Sequence, residues 1–384
     1  MSGPLDGYRI LEIAGLGAAP YCGMMLADMG AEVIRIERMP PPPPLPDVLA
    51  RGRRSIALDL KIPQAVEVLM RLMEDCDGLL EGFRPGVAER LGFGPEQCLE
   101  RNPRLVYGRM TGWGQDGPLA GAAGHDLNYI ALSGYLHAVG TRGGCPLPPL
   151  NLVGDFGGGL MLAYGIVCAL LERKASGKGQ VVDAAMLDAA ASFMAMFSGF
   201  RHLGMFPEGP GESMLAGAAH FYGTYRTADD RFVSIAAIEP DFYRLLIDKL
   251  GLPEHEFLPF GFGGLDKRTD ASGWAALRTR LEAVFATRTR DEWCELLEGS
   301  DVCFAPVLAL SEVQDHPHNR ARDTFVEIDG IEQSAPTPRF SRSATGLPLP
   351  APRPGADTRT VLADAGFGDA DIEMLSRAGA IPSD

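Results

Sequence analysis

Positive charge is scarce in this chain. Thirty-five Lys and Arg stand against fifty Asp and Glu in 384 residues, a formal net charge of −15. That balance excludes a nucleic-acid partner and means that any basic surface must be local. Cysteine is thinly spread: seven residues, at 22, 76, 98, 145, 168, 294 and 303, with no Cys-x-x-Cys spacing. Neither a disulfide framework nor a zinc site is indicated, and a reducing, cytoplasmic compartment is expected. The start, MSGPLDGYRILEIAG, has no basic stretch ahead of an apolar one, so no signal peptide is expected. The most apolar segment, 160–171, is too short and too glycine-interrupted to span a bilayer, and no membrane insertion is expected. No internal repeat is found, which argues against a solenoid.

What remains is the composition of a globular enzyme. Apolar residues make up 46% of a chain long enough for two or three domains with ample core. The first 120 residues alternate between the two periodicities. Tyr8–Ala14, Glu32–Arg38, Ser55–Leu60, Gly78–Phe83 and Leu105–Thr111 read as strands, with helices over Tyr21–Met29 and Gln64–Asp75. Such alternation predicts an α/β fold, a parallel sheet with helices on both faces. The prolines at 40–44 predict an extended loop. A long helix is expected over Phe156–Lys174, a strand from Val181, and one helix over Ala184–Leu203. Composition shifts at 207–222, a linker, and residues 223–328 read as a smaller α+β domain. It opens with a hairpin, Thr224–Thr227 and Phe232–Ala237, and continues with helices at 240–250, 273–286 and 290–298. The expected division is therefore 1–206 for the large domain and 329–384 for a return segment whose two terminal helices pack back on it.

Four groups of residues bear chemistry. Gly15-Leu16-Gly17 after the first strand, with Glu37 twenty residues on, imitates part of a dinucleotide fingerprint. Pro20 stands where the third glycine belongs, and a lone Gly-x-Gly more often makes only a tight turn. The second group is basic: Arg35, Arg38, Arg51, Arg53, Arg54, Lys61, Arg84 and Arg90 gather at successive strand ends. Any one of these reads most simply as solvated surface charge, but the set suits an anionic ligand such as coenzyme A.

The third group is a pair of glycine-framed segments, Gly124-His125-Asp126-Leu127-Asn128-Tyr129 and Gly154-Asp155-Phe156-Gly157-Gly158-Gly159. A histidine and a carboxylate brought by separate loops can serve opposite faces of one carbon, removing a proton on one side and returning it on the other. Singly, His125 reads equally well as a hydrogen-bonded structural histidine, and Asp155 as the N-cap of the following helix. Asp126 could orient a neighbour or cap a helix starting near Leu127. Three successive glycines cost helix propensity, which a ligand or second chain approaching the backbone would explain. The fourth group is Glu239 before Pro240, by itself no more than a surface or capping acid. His316-Pro-His318 lacks a third ligand nearby, and no metal site is expected.

Taken together, LADMGAEVIRIER, RSIALDLK, EGFRPGV, YGRMTGWGQDGPLA, AGHDLNYIALSG, NLVGDFGGG, SGKGQVVDAAM, FYGTYRTADDRFVSIAAIEPDFY and DVCFAPVL resemble the α-methylacyl-CoA racemases of the family III CoA-transferase superfamily, over nearly the whole chain. The resemblance implies a large Rossmann-like domain, a smaller domain and an interlocked homodimer, with the active site between the large domain of one subunit and the small domain of the other. It implies an acyl-CoA thioester substrate and no separate cofactor, CoA being carried by the substrate. His125 and Asp155 then match the two acid/base residues, and Glu239 the carboxylate that contacts the histidine across the interface. Arg38, the stretch Ala57, Leu58, Asp59, Leu60 and Lys61, and also Arg84 and Arg90 match segments that hold the CoA phosphates and adenine. Asp126, with Gly124, Leu127, Asn128 and Tyr129 around it, matches the neighbourhood of the thioester. The stretch SMLAGAAHFYGTY departs from the usual NMLDGGAPFYTTY form at Ala216, Ala218 and His220, in a region that approaches the acyl group. The rival within the superfamily is a CoA-transferase using Asp155 as acyl nucleophile; the rival of another class is an inactive CoA-ester-binding protein.

Overall fold

The computed structural model describes residues 3–45, 47–264 and 269–383. Six strands, β1 (Arg9–Ile13), β2 (Glu32–Glu37), β3 (Arg53–Ala57), β4 (Gly78–Glu81), β5 (Val106–Thr111) and β6 (Gln180–Ala185), form one sheet in the order β3-β2-β1-β4-β5-β6. Every pairing is parallel, as the alternation predicts. The strands read as near-continuous apolar runs because helices cover both faces. One core holds Leu11, Ile34, Ile56, Leu69 and Tyr107; the other holds Ile10, Val33, Leu80, Leu162 and Ile166. The order reverses between β1 and β4, and in such sheets the crevice at that switch, beyond the strands' C-terminal ends, is where ligands bind. Here it is framed by Gly15–Gly17 after β1 and Gly82–Arg84 after β4.

The chain divides into two compact units. The first comprises 1–133, 149–193 and 322–384; the second comprises 134–148 and 194–321. Against the expected boundary at 206, the helix Ala195–His202 groups with the second unit, and residues 322–328 group with the first. The second unit carries an antiparallel sheet of β7 (Tyr222–Arg226), β8 (Phe232–Ala236) and β9 (Phe304–Val307) around a core including Phe221, Val233, Tyr243, Leu281 and Trp293. Helices Pro240–Lys249, Trp274–Phe285 and Arg290–Leu297 lie where expected. The last of these starts at a Thr289/Glu292 capping box, two orphan amides satisfied reciprocally.

On re-entering the first unit the chain forms the hairpin β10 (Phe325–Ile328) and β11 (Ile331–Ser334) and ends in helices Thr358–Asp364 and Asp369–Arg377. The terminal segment does pack on the large unit: Val361, Leu362, Ile372 and Leu375 join its core.

Two of the expected helices are built differently. The helix over Ala184–Leu203 is instead the end of β6 followed by two helices, Met186–Phe193 and Ala195–His202. The helix expected from Phe156 begins earlier, with a wider π-helical turn at Leu152–Phe156 that runs into Gly157–Ser176. By length and composition Leu152–Ser176 could cross a membrane, so its glycines do not interrupt it. One of its faces, with Leu162, Ile166, Ala169 and Leu170, is core of the first unit.

Candidate active site

Asp155 sits inside the π-helical turn, not at an N-cap; such turns interrupt α-helices most often at functional sites. Its side chain lies over Gly17, where an added Cβ would meet Asp155 Oδ2 at 2.8 Å. Gly17 has φ +69° and opens the helix Ala18–Asp28 at the end of β1. The Gly-x-Gly turn thus serves the carboxylate. Glu37, its would-be dinucleotide partner, is buried against Arg35 at 2.6 Å. Asn151 Nδ2 donates to Asp155 Oδ2 at 3.0 Å. Burial raises the Asp155 pKa above the usual carboxylate value; the Asn151 hydrogen bond lowers it, Asp126 raises it and His125 lowers it. His125 and Asp155, thirty positions apart in sequence, therefore share one electrostatic neighbourhood.

His125 is the N-cap of the helix Asp126–Leu132; its backbone N–H donates to Asn128 Oδ1 at 3.1 Å and its ring is exposed. The helix starts one residue before the expected point, and Asp126 is its first residue. Asp126 is buried, and Oδ1 accepts the N–H groups of Gly154 at 2.6 Å and Asp155 at 2.9 Å. Its role is to bind the His125 helix to the Asp155 turn. Because those two amides are spent, they cannot serve an oxyanion. The amides of Asp126 and Leu127, in the first turn of their helix, have no intrahelical acceptor.

Tyr129 packs edge-on against Trp113 at 4.7 Å, and its hydroxyl donates to the Gly124 carbonyl. Burial first, then Asp155, raises the Tyr129 pKa, while Arg84 lowers it; Arg84 thus belongs to the same neighbourhood. Leu127 is exposed beside His125.

The glycine run is explained within the chain itself. Added Cβ atoms would meet the Phe193 ring at 2.7 Å from Gly157, Met186 at 3.0 Å from Gly158, and the Ala18 carbonyl oxygen at 2.4 Å from Gly159. Close approach of the helices Ala18–Asp28 and Met186–Phe193 needs these glycines, in place of the ligand or second chain expected there.

The basic set separates into two kinds. Arg35 and Arg53 are buried on Glu12, each at 2.7 Å, Arg51 on Asp28 at 2.6 Å, and Arg54 pairs with Glu32 and Asp364. These four hold the fold and are withdrawn from any ligand. Arg38, Lys61, Arg84 and Arg90 are exposed. Lys61 and Arg90 line one cavity of about 720 Å³ with Leu60, Gln97 and Arg101. In the intervening stretch, Ala57 and Leu58 are core, and the amides of Ala57, Leu58 and Asp59 go to Thr358, Glu37 and Ala380. Only its later part, Leu60 and Lys61, faces the cavity.

Glu239 is exposed and precedes the helix Pro240–Lys249. It belongs to the second unit, whereas His125 and Asp155 belong to the first. Sequence reasoning missed Asn151, four residues before Asp155, and Gly17 as its seat. A helical i, i+4 spacing was the available signal for Asn151; for Gly17 there was none. His316 pairs with Glu298 at 2.8 Å, and among the described residues no cluster of three potential metal ligands occurs.

Residues 5–358 match the CoA-transferase family III model. The chain is 43% identical to the α-methylacyl-CoA racemase of Mus musculus, over 99% of this chain and 98% of that protein. It is 42% identical to that of Homo sapiens, over 97% and 96%. Among solved structures, Rv3272 from Mycobacterium tuberculosis superposes with a TM-score of 0.76 at 30% identity, over 94% of this chain and 99% of that one.

Proposed function

The chain belongs to CoA-transferase family III, and we propose that within it this protein is an isomerase, a racemase interconverting (R)- and (S)-2-methylacyl-CoA thioesters. The observation that carries the reading is the shared neighbourhood of His125 and Asp155: an exposed imidazole and a half-buried carboxyl, held by different elements at the crevice end of the sheet. Full-length relatives named for this reaction support it.

The α-proton of a thioester is weakly acidic, so its removal needs a positioned base and donors for the enolate oxygen. Neutral His125 takes the proton from the (S) ester and Asp155 from the (R) ester; the opposite partner returns one. A carboxyl whose pKa is raised is the stronger base and, once protonated, still a competent acid. The amides of Asp126 and Leu127 are the enolate donors. Arg38, Lys61, Arg84 and Arg90 grip the CoA phosphates. Proton transfer alone calls for no cofactor, and CoA arrives as part of the substrate.

The reading includes an interlocked homodimer in which Glu239 of one chain orients His125 of the other. The exposed stripe Leu160, Tyr164, Val167 and Leu171 on the helix Gly157–Ser176 supports a second copy there. Seven free thiols support a reducing compartment and with it the cytoplasmic reading. The transferase alternative, with Asp155 as nucleophile, has no use for the histidine beside it.

The test is exchange of the α-hydrogen with solvent deuterium on each enantiomer of a 2-methylacyl-CoA. His125→Ala and Asp155→Ala should each cripple racemisation, and full activity in either variant sinks the two-base reading. Formation of an Asp155 acyl adduct, trapped with hydroxylamine, would instead favour the transferase.

A further inference from the structure

Arg84 and Arg90 sit on a loop with little structure of its own. Its one short helix, Val87–Leu91, carries Arg90 and is bounded by Gly86 and Gly92 in the left-handed region at φ +79° and +92°. The loop is anchored from β5. Arg109 stands directly opposite Glu81 of β4 in the strand register, and both side chains are buried. Arg109 Nε donates to Glu81 Oε1 at 3.0 Å, and Glu81 Oε2 accepts the Phe83 N–H at 2.7 Å. Arg109 Nη1 meets Glu89 Oε1 at 2.9 Å. One guanidinium thus forks between two carboxylates, and these fix the residues immediately before Arg84 and before Arg90.

The fork also settles charge. Glu81 and Glu89 lie within the phosphate-gripping segment, and unneutralised they would attract Arg84 and Arg90 or repel a phosphate. Burial pushes the Glu81 carboxyl above the usual carboxylate range, while the Phe83 amide and Arg109 pull it back. A planar, permanently charged guanidinium is suited to such a two-carboxylate bridge, which a lysine ammonium would span poorly.

We propose that Arg109 is a positioning residue for CoA recognition: it touches neither phosphate nor reacting carbon, but sets the loop that presents Arg84 and Arg90. The inference rests on the CoA-thioester reading above. It requires that loss of Arg109 be felt by the nucleotide end of the substrate and not by the proton transfer.

The experiment compares a 2-methylacyl-CoA with the same acyl group on pantetheine, which lacks the nucleotide and its phosphates. In Arg109→Met, KM for the CoA ester should rise about tenfold at unchanged kcat, with KM for the pantetheine ester moving less than twofold. Equal losses on both esters, a fall in kcat alone, or no change on either overturns the proposal. Calorimetric binding of CoA itself should weaken by a factor similar to the rise in KM, and undiminished binding also overturns it. Should Arg109→Met fail to fold, Glu89→Ala removes only the arm to the helix Val87–Leu91. It should raise KM for the CoA ester about threefold and spare the pantetheine ester; an unaltered KM overturns the proposal by this route. Wild-type protein without α-exchange on any CoA ester would defeat the proposed function instead.

Discussion

An added β-carbon on Gly17 would stand 2.8 Å from Oδ2 of Asp155, so the carboxylate proposed to exchange the proton rests on bare backbone. The close atom is the mobile end of a side chain, and a methyl group there displaces the carboxylate before it disturbs the helix. Gly17→Ala should therefore lower α-exchange by on the order of 100-fold, the typical cost of misplacing a reacting group by about 1 Å. Holding φ +69° and ψ −114°, a backbone conformation kept for glycine, adds a stability loss on the order of 1–3 kcal/mol. Measured exchange rates together with a denaturant midpoint separate the two effects; wild-type exchange in the variant would refute the seating of Asp155.

The Asn151 hydrogen bond favours the ionised form of Asp155 and works against burial, which raises its pKa. On the proposed two-base chemistry Asp155 must be ionised to take a proton, so activity on the (R) ester should be lost as pH falls through its raised pKa. Asn151→Ala removes the stabilising donor and should move that acidic limb to still higher pH, while the rates converge with wild type on the alkaline side. The check is the pH profile of kcat/KM for the (R) ester; superimposable profiles count against the link.

Arg51 is buried and donates to both oxygens of Asp28, at 3.0 and 2.6 Å, and to Gln333 and the Ser334 carbonyl. It thereby ties the helix Ala18–Asp28 and the start of β3 to the late hairpin. Arg51→Ala leaves an uncompensated buried carboxylate and should cost about 3–5 kcal/mol. The double variant Asp28→Leu with Arg51→Met should lose less than Arg51→Ala in denaturant titration. A larger loss in the double variant would show that the pair itself, and not its broken half, carries the stability.

In the second unit His220 is fully buried and its Nε2 lies in hydrogen-bond contact with the Tyr243 hydroxyl. Burial, assisted by the positive charge of Arg278, lowers its pKa to about 3 from 6.5. The folded histidine stays neutral while the unfolded one charges, so its contribution is full above pH 6.5 and is lost progressively as pH falls toward 3. The slope in that window approaches about 1.4 kcal/mol per pH unit. Urea titrations of wild type and His220→Gln between pH 7 and 4 should show the wild type losing stability faster; parallel curves would contradict the buried neutral state.

The parallel sheet was legible because strands covered on both faces must be apolar throughout, and the punctuation between them is local. Strand β3 is the exception, expected at Ser55–Leu60 and found at Arg53–Ala57. Arg53 looked like a boundary because nothing near it in sequence says that Glu12 waits inside. Strand β9 was missed for a similar reason: Pro306 interrupts its pattern, which an edge strand tolerates. Asp155 and His125 were visible as chemistry-bearing types in glycine frames. Their common neighbourhood was not, since it depends on Asp126 accepting two amides from a segment 28 and 29 residues away.

The sequence by itself determined the α/β alternation, the two candidate proton-transfer groups and, through whole-motif resemblance, the reaction class. Periodicity and residue chemistry are local properties, and motifs survive without coordinates. Only the tertiary structure decided which arginines are free for phosphate and which are consumed by Glu12, Asp28 and Glu37, and why three glycines stand in the first turn of a long helix. The cost of an unpaired buried charge is set by the carboxylate opposite it, and the room a glycine leaves is set by the atom that fills it. In both cases the deciding atom comes from elsewhere in the chain.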